Sequence, residues 1–324
     1  MIIWVLGDNI VGNTNQAIAL AEELGGKYTL IKLEYTFFGK LPNFLLKKKP
    51  IHIKNKLLKS LATKAFPDII ITAGRRTAAF AFYLKKKSNN KIKLIQLMQP
   101  DIPYNEFDTV VLPNHDKLAY QSSNVIRITG ALTGVLPKLP AAAKALHKNY
   151  PNLEKFIAII IGGNNKYYKF SDEDALLLAS LLIRVNNTRK LTFFISFSRR
   201  TPKSAKLIIK SSLPLSTIIY DPTKNDEFNP YLGMLSQAEY IVSTADSISM
   251  CSEAAASGKP LYVFCPASFK SPKHQAFIQQ LAQQKIVKIL DKFTTVLEKY
   301  NYTPLNEVKK LAEIIKKKFY EKAE

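Results

Sequence analysis

The residues best placed for chemistry lie between Tyr240 and Phe264, in YIVSTADSISMCSEAAASGKPLYVF. A β-branched run ending at Ser243 predicts a strand, and a polar loop follows it. A helix rich in small residues then runs roughly from Ile248 to Ser257, closed by Gly258. In a parallel sheet, ligands bind beyond the carboxyl ends of the strands, where a helix start offers free N–H groups to anions. Ser247 and Ser249 stand where loop meets helix and suit a phosphate. Glu253 lies one turn in, where a carboxylate can accept hydrogen bonds from a ribose diol. The plain alternative is a capping serine and a surface glutamate. The convergence of several polar groups at one strand end favours binding.

Three weaker constellations accompany it. In IGGNNKYYKF, Gly162 and Gly163 would let the backbone of Gly162, Gly163 and Asn164 approach a phosphate or base. The segment is neither a Walker loop nor a GxGxxG fingerprint, and a structural turn explains it about as well. In ISFSRRTP, Ser198, Arg199 and Arg200 follow a strand directly, where a permanently charged guanidinium suits a phosphate. GRRT repeats that arrangement in the first half with Arg75 and Arg76, read here as a turn on the acceptor side. The first loop, GDNIVGNTNQ, clusters Asp8, Asn13, Asn15 and Gln16 behind a strand, where an acceptor or a catalytic base can sit. Asp8 and His115, the latter in LPNHD, are the candidate proton carriers, with Asn13, Gln16, Arg75 and Arg76 as acceptor-side groups. There is no Ser-His-Asp signature, no HExxH and no metal-ligand spacing, so neither a metal nor an organic cofactor is expected.

These residues need parallel sheets to position them. Apolar runs at Met1–Leu6, Tyr28–Leu33, Asp68–Thr72, Leu94–Met98 and Thr109–Leu112 alternate with helical segments. A second series starts at Phe156–Ile161 and continues through Leu191–Phe197, Ser216–Tyr220, Tyr240–Ser243 and Leu261–Phe264. Between its first two strands, Ser171 and Asp174 predict a capping box at the start of a helix. The fold class is therefore α/β with two Rossmann-like domains. The first spans residues 1–140 and the second 153–303, with the Pro-, Ala- and Lys-rich stretch 136–152 between them. Residues 304–324 predict a basic amphipathic helix, with Val308, Leu311, Ile314 and Ile315 on its apolar side, of the kind that often crosses back onto the first domain.

Charge adds a partner class. The chain has 47 Lys plus Arg against 25 Asp plus Glu, a net charge of +22 that draws it towards phosphate groups. Residues 40–64 mix lysines with Phe44, Leu45, Leu46, Ile51, Ile53, Leu57 and Leu58, as an interfacial segment on an anionic membrane would, or a solvated helix with one buried face. The lysines lack interleaved aromatic stacking platforms, and no DNA- or RNA-binding motif is present, so nucleic acid is not an expected partner. Two cysteines outside any CxxC spacing fit a reducing cytosol. No apolar run approaches ~18 residues, so membrane contact would be peripheral, at the inner face.

With these segments in place, the sequence resembles the mitochondrial-fission Elm-type proteins and their bacterial relatives. GDNIVGNTNQAIALAEEL, PDIIITAGRRTA, QLMQP, FDTVVLPNHD, IGGNNKYYKF, SRRTP and the stretch from Asn229 to Phe264 carry the likeness in order. The resemblance implies a GT-B glycosyltransferase-like fold, two Rossmann-like domains facing across a cleft. ADSISMCSEAAASGKP is similar to the donor-binding helix of peptidoglycan-type N-acetylglucosaminyltransferases, which would give Glu253 the ribose of a nucleotide sugar with Ser247 and Ser249 nearby. Relatives commonly read DGRPGHxNQ in the first loop, whereas Asn9 and Asn13 stand here in place of the glycine and the histidine. An asparagine amide does not titrate near neutral pH and cannot act as a general base. Two functions are thus expected in competition. One is a metal-independent glycosyltransferase binding a nucleotide sugar and acting on a membrane-associated acceptor. The other is a non-catalytic membrane-surface adaptor, as the fission relatives suggest by recruiting a dynamin-type partner. A short-chain sugar-nucleotide epimerase is disfavoured by the missing GxGxxG and YxxxK.

Overall fold

Runs of isoleucine, valine and phenylalanine set the strands of two six-stranded, wholly parallel sheets in a computed structural model that describes residues 1–47, 49–224 and 228–320. Each sheet belongs to its own unit, Val135–Leu305 forming one and Met1–Gly134 with the segment from Asn306 forming the other.

In the first unit the strands are β1 (Ile2–Gly7), β2 (Lys27–Lys32), β3 (Ile69–Ala73), β4 (Lys93–Leu97), β5 (Thr109–Pro113) and β6 (Val125–Ile128). Their spatial order is β2-β1-β3-β4-β5-β6, with Val5 opposite both Leu30 and Ile71. Alternation along β1 feeds two cores, because successive side chains of a strand point to opposite faces. Ile3 and Val5 pack with Leu20 of helix α1 (Val11–Leu24), while Trp4 and Leu6 pack with Phe80 of α4 (Arg75–Lys87). Two short helices, α2 (Asn43–Leu46) and α3 (Asn55–Ala62), lie between β2 and β3 in the chain.

The second unit opens with α5 (Leu139–Asn149) and continues as β7 (Phe156–Ile161), α6 (Asp172–Asn186), β8 (Thr192–Phe197), α7 (Lys203–Ser212), β9 (Ile218–Tyr220), α8 (Tyr231–Gln237), β10 (Tyr240–Thr244), α9 (Ile248–Ala256), β11 (Leu261–Phe264), α10 (Pro272–Gln283) and β12 (Val287–Leu290). Its order, β12-β11-β10-β7-β8-β9, is doubly wound: the chain proceeds outward in one direction from β7 and in the other from β10. All six residues of β7 and all five of β10 are buried, as strands covered on both faces must be. A last helix, α11 (Glu307–Tyr320), belongs to the first unit. There Val308, Leu311 and Ile315 join the core beside α1, and Glu307 accepts a hydrogen bond from the Thr129 N–H at 2.9 Å.

The structure differs from the sequence reading at several elements. Helix α1 begins at Val11, inside the segment read as a loop, and Arg75–Thr77 form the first turn of α4 instead of a turn before it. The strands β6 and β12 were not expected; both are short edge strands with polar positions, VIRI and VKIL. The stretch 136–152 is mostly α5, which packs so closely on α8 that a methyl group on Gly233 would lie 2.6 Å from Leu146 Cβ. Ile314 is exposed, leaving the α11 stripe to its three neighbours.

The capping box is present in full. Ser171 Oγ accepts from the Asp174 N–H at 3.2 Å, and Asp174 Oδ2 accepts from the Ser171 N–H at 3.3 Å. Asp174 also accepts from the Tyr168 hydroxyl at 2.7 Å and from Ser268 Oγ at 2.7 Å, so this helix start ties two loops together. Ser171→Ala is expected to lower stability by about 1 kcal/mol, read from the urea midpoint at unchanged slope. An unchanged midpoint would show that the Ser171 hydroxyl adds nothing to a helix start already held through the Asp174 carboxylate.

Candidate functional site

The two directions of winding in the second unit part between β7 and β10, and there the chain gathers its polar groups. Asp246, two residues beyond β10, is only 2% exposed. Its carboxylate accepts from the Thr244 hydroxyl at 2.6 Å, from the Gly163 N–H at 2.8 Å and from Arg200 Nη2 at 3.4 Å. Thr244 Oγ1 in turn accepts from the Gly162 N–H at 2.8 Å. Arg200 reaches the Asn164 carbonyl through Nη1 at 3.2 Å, and Asn165 donates to the Asp246 carbonyl at 3.0 Å. Ser198 Oγ donates to the Gly162 carbonyl at 2.9 Å, bringing in the end of β8. The glycines have an internal reason: a side chain at 162 would overlap the Asp246 carboxylate, and one at 163 the Arg200 backbone.

Helix α9 starts beside this network. Ser247 caps it, its Oγ accepting from the Met250 N–H at 3.4 Å, and Ser249 lies in the first turn. The first N–H groups of a helix have no intrahelical acceptor and favour an anion. Glu253 is further along α9, where Oε2 accepts from the Tyr231 hydroxyl at 2.6 Å. Burial pushes the Glu253 carboxyl pKa up, and the Tyr231 hydroxyl opposes that shift. Tyr231, Phe197, Ser198, Asn229 and Met250 line a 160 Å³ cavity at the ends of β7, β8 and β9. That volume suits one ring of a ligand and falls below the ~300 Å³ lower end for whole drug-sized molecules.

Gly162, Gly163, Asn164, Ser198, Ser247 and Ser249 are thus brought to one end of one sheet. Arg199 is exposed, and it is Arg200, its neighbour, that enters the network. Asp246 and Tyr231 were missed as site residues. His274 belongs with them: its Nδ1 lies 2.7 Å from Ser271 Oγ, and burial, Lys273 and Arg200 lower its pKa while the Asp246 carbonyl raises it.

In the first unit the corresponding parting lies between β1 and β3. Asp8 follows β1, Arg75 and Arg76 begin the helix after β3, and Asn13 Nδ2 would lie 2.7 Å from a methyl group on Gly74. Burial raises the Asp8 carboxyl pKa, against the Ile10 N–H and Arg76, which lower it. Asp8 also lines a 460 Å³ pocket with Asn15 and Lys32 over Ile18 and Leu30. Tyr35 feels the charges of both Asp8 and Arg76, although no pattern in its segment marks it. Two expectations are corrected here. Gln16 is buried, donating to the Gly12 carbonyl at 3.3 Å and accepting from the Leu132 N–H at 3.2 Å, so it is a core polar residue and offers nothing to an acceptor. The His115 side chain is 2% exposed, with Nε2 4.0 Å from Asp116 Oδ1, so it presents almost no surface to a substrate.

The basic segment is also revised. Leu46 and Ile53 are core residues, while Phe37 is 86% and Phe44 63% exposed, with Phe38, Leu45 and Ile51 exposed beside them in the chain. A 730 Å³ groove there is lined by Phe38, Ile51 and Leu58 together with Lys49, Lys54 and Lys56. Lys48 lies outside the described residues. No helix among the described residues is long and apolar enough to cross a membrane, and no group of three or more His, Cys, Asp or Glu side chains among them is arranged to hold a metal.

Burial is the largest influence on Asp246 and raises its carboxyl pKa, with Thr244, Gly163 and Arg200 pulling the other way. A carboxyl raised on folding binds its proton more tightly in the native state, so the native protein loses stability as pH climbs from the ordinary aspartate value to the raised one. Asp246→Asn abolishes that loss. The stability of the variant relative to wild type is expected to increase across the window, by about 1.4 kcal/mol per pH unit at most, and then level off. Urea unfolding between pH 3.5 and 7 measures it, and a slope of opposite sign would mean that Arg200 and the N–H donors outweigh burial.

The chain is similar to known proteins over nearly its whole length. The model of the family described as Mitochondrial fission ELM1 matches residues 11–319. Uncharacterized protein RP120 of Rickettsia prowazekii (strain Madrid E) is 53% identical over 98% of this chain and 98% of its own length. Mitochondrial fission protein ELM1 of Arabidopsis thaliana is 28% identical over 78% of this chain and 64% of its own. Among solved structures, the UDP-GlcNAc 2-epimerase from Methanocaldococcus jannaschii superposes with a TM-score of 0.62 at 13% identity, covering 97% of this chain and 99% of that one. Such a likeness, shared with solved glycosyltransferases, shows the GT-B fold alone. By the extent of the family match, the chain belongs to the mitochondrial fission ELM1 family.

Proposed function

We propose that the second unit binds a nucleotide or nucleotide sugar where β7 and β10 part, and that the protein is a metal-independent, glycosyltransferase-like enzyme. The observation that carries this is the convergence of four recognition elements on one sheet end. The start of α9 with Ser247 and Ser249 favours a phosphate, and the Arg200 guanidinium adds a fixed positive charge held by Asp246. The Glu253 carboxylate suits a ribose diol, and the cavity beside Tyr231 suits a ring. Solved neighbours of the same fold include an epimerase complexed with UDP-GlcNAc and UDP, which supports this ligand class. Asp8, with the Arg76 charge near it, is the proton-carrying candidate in the first unit, and Asn13, Arg75 and Arg76 are its acceptor-side groups.

A second reading rests on one observation: Asn13 cannot titrate and the His115 side chain is buried, leaving Asp8 alone of the candidate proton carriers in the first unit. A non-catalytic adaptor that keeps the nucleotide pocket fits that as well. Both readings share a membrane surface. Exposed Phe37, Phe38, Phe44, Leu45 and Ile51 among Lys40, Lys47 and Lys49 suit shallow insertion into an anionic bilayer, peripherally at its inner face.

Calorimetry with uridine, guanosine, adenosine and cytidine diphosphates and their sugar conjugates tests the first proposal. One of them is expected to bind at micromolar affinity, and Glu253→Ala to weaken it roughly 10- to 100-fold with the fold intact. Failure of the whole panel on folded protein would remove the nucleotide site. Hydrolysis or transfer of the bound sugar conjugate would favour the enzyme, and binding without turnover across candidate acceptors the adaptor.

For the membrane surface, sedimentation with phosphatidylglycerol–phosphatidylcholine vesicles is expected to show salt-sensitive adsorption. It should weaken roughly fivefold for each of Lys47 and Lys49 neutralised. Phe37→Ser with Phe44→Ser should weaken it further, and equal binding to pure phosphatidylcholine would sink the idea.

A further inference from the structure

Helix α8 was invisible as a site element in the sequence, yet its first residue touches both halves of the proposed nucleoside site. The Tyr231 hydroxyl donates to Glu253 Oε2 at 2.6 Å, and the same side chain lines the 160 Å³ cavity with Phe197, Ser198 and Met250. Its backbone is fixed in turn, because the Tyr231 N–H donates to Asn229 Oδ1 at 3.0 Å. Tyr231 is therefore anchored at its backbone and at its tip.

We infer that Tyr231 is the positioning residue for the sugar of a bound nucleotide, holding the Glu253 carboxylate so that its remaining acceptor sites face the 2′- and 3′-hydroxyls. The inference rests on the nucleotide reading of this site. Its chemistry follows from the acceptor capacity of a carboxylate, which has about four lone-pair sites on two oxygens. One is taken by Tyr231, and a diol supplies two donors, so the three hydrogen bonds coexist on an ionised Glu253. A carboxylate in a half-buried place tends to take up a proton, and a protonated one would spend part of its capacity as a donor. A hydroxyl donating to it favours the ionised form, which is the form the diol needs. The geometry also gives the site a reason to prefer ribose to a sugar lacking those hydroxyls, since without them the carboxylate is left desolvated and short of partners.

The simpler alternative is that Tyr231 is a wall of the cavity and nothing more. Tyr231→Phe separates the two, keeping the ring and removing the hydroxyl. The measurement is the dissociation constant, by calorimetry, of the tightest-binding common nucleoside diphosphate and of its 2′,3′-dideoxy counterpart, for wild type and variant, with melting curves to establish folding. Wild type is expected to favour the ribonucleotide at least tenfold. In Tyr231→Phe that preference should fall to threefold or less, while affinity for the dideoxy compound changes less than twofold. A wall residue would shift both affinities together and leave the ratio intact, and that result overturns the inference while the nucleotide reading stands. A wild type that binds the nucleotide without any ribose preference also overturns it. If no nucleoside diphosphate binds folded wild-type protein, the nucleotide reading itself fails and the inference falls with it.

Discussion

A single buried carboxylate organises the second unit. Asp246 sits where the two windings of the sheet diverge, and its oxygens hold the ends of β7 and β10 and the Arg200 side chain together. A charge in such a place is costly unless its hydrogen-bonding capacity is filled. The surroundings are built to fill it. Gly162 and Gly163 have no side chains because none would fit, Thr244 passes on the Gly162 N–H, and Arg200 supplies the compensating charge. The position of α9, and with it Ser247 and Glu253, follows from that knot, since the helix begins two residues after Asp246 is anchored.

This changes what the glycine pair means. In sequence, a strand running into Gly-Gly suggests backbone left open for a phosphate. In the structure the Gly163 N–H is already committed to Asp246. The groups at this sheet end left for a phosphate in the proposed nucleotide site are then the start of α9 and the half-exposed Arg200. The loop is scaffold for the site, and its small residues answer a steric demand from within.

Much of the fold was legible because strands that are wholly or almost wholly apolar, such as Phe156–Ile161 and Ile69–Ala73, have no other reading once helices alternate with them. The edge strands β6 and β12 were not, because half-exposed VIRI and VKIL carry polar residues and too few positions to show a period. The Ser171–Asp174 capping box was readable since its partners are three residues apart. The Asp246 knot was not, since its donors at Gly163 and Arg200 lie 83 and 46 residues away. For the same reason SRRT could not say which arginine turns inward, and Gln16 looked like a loop residue when its partner is Leu132. Residue types announced a polar strand end; only the topology showed which of them meet.

The membership of α11 in the first unit bears on how the chain is made. The second unit is one continuous stretch and can close as soon as Leu305 is free of the ribosome. The first unit, although begun earlier, lacks Val308, Leu311 and Ile315 from its core until everything between has been synthesised. Its Ala17, Leu20 and Leu24 therefore wait with apolar surface uncovered for the longest part of translation. The half that starts first finishes last, so a ribosome that stalls anywhere within the second unit releases a nascent chain whose first unit is still unsealed.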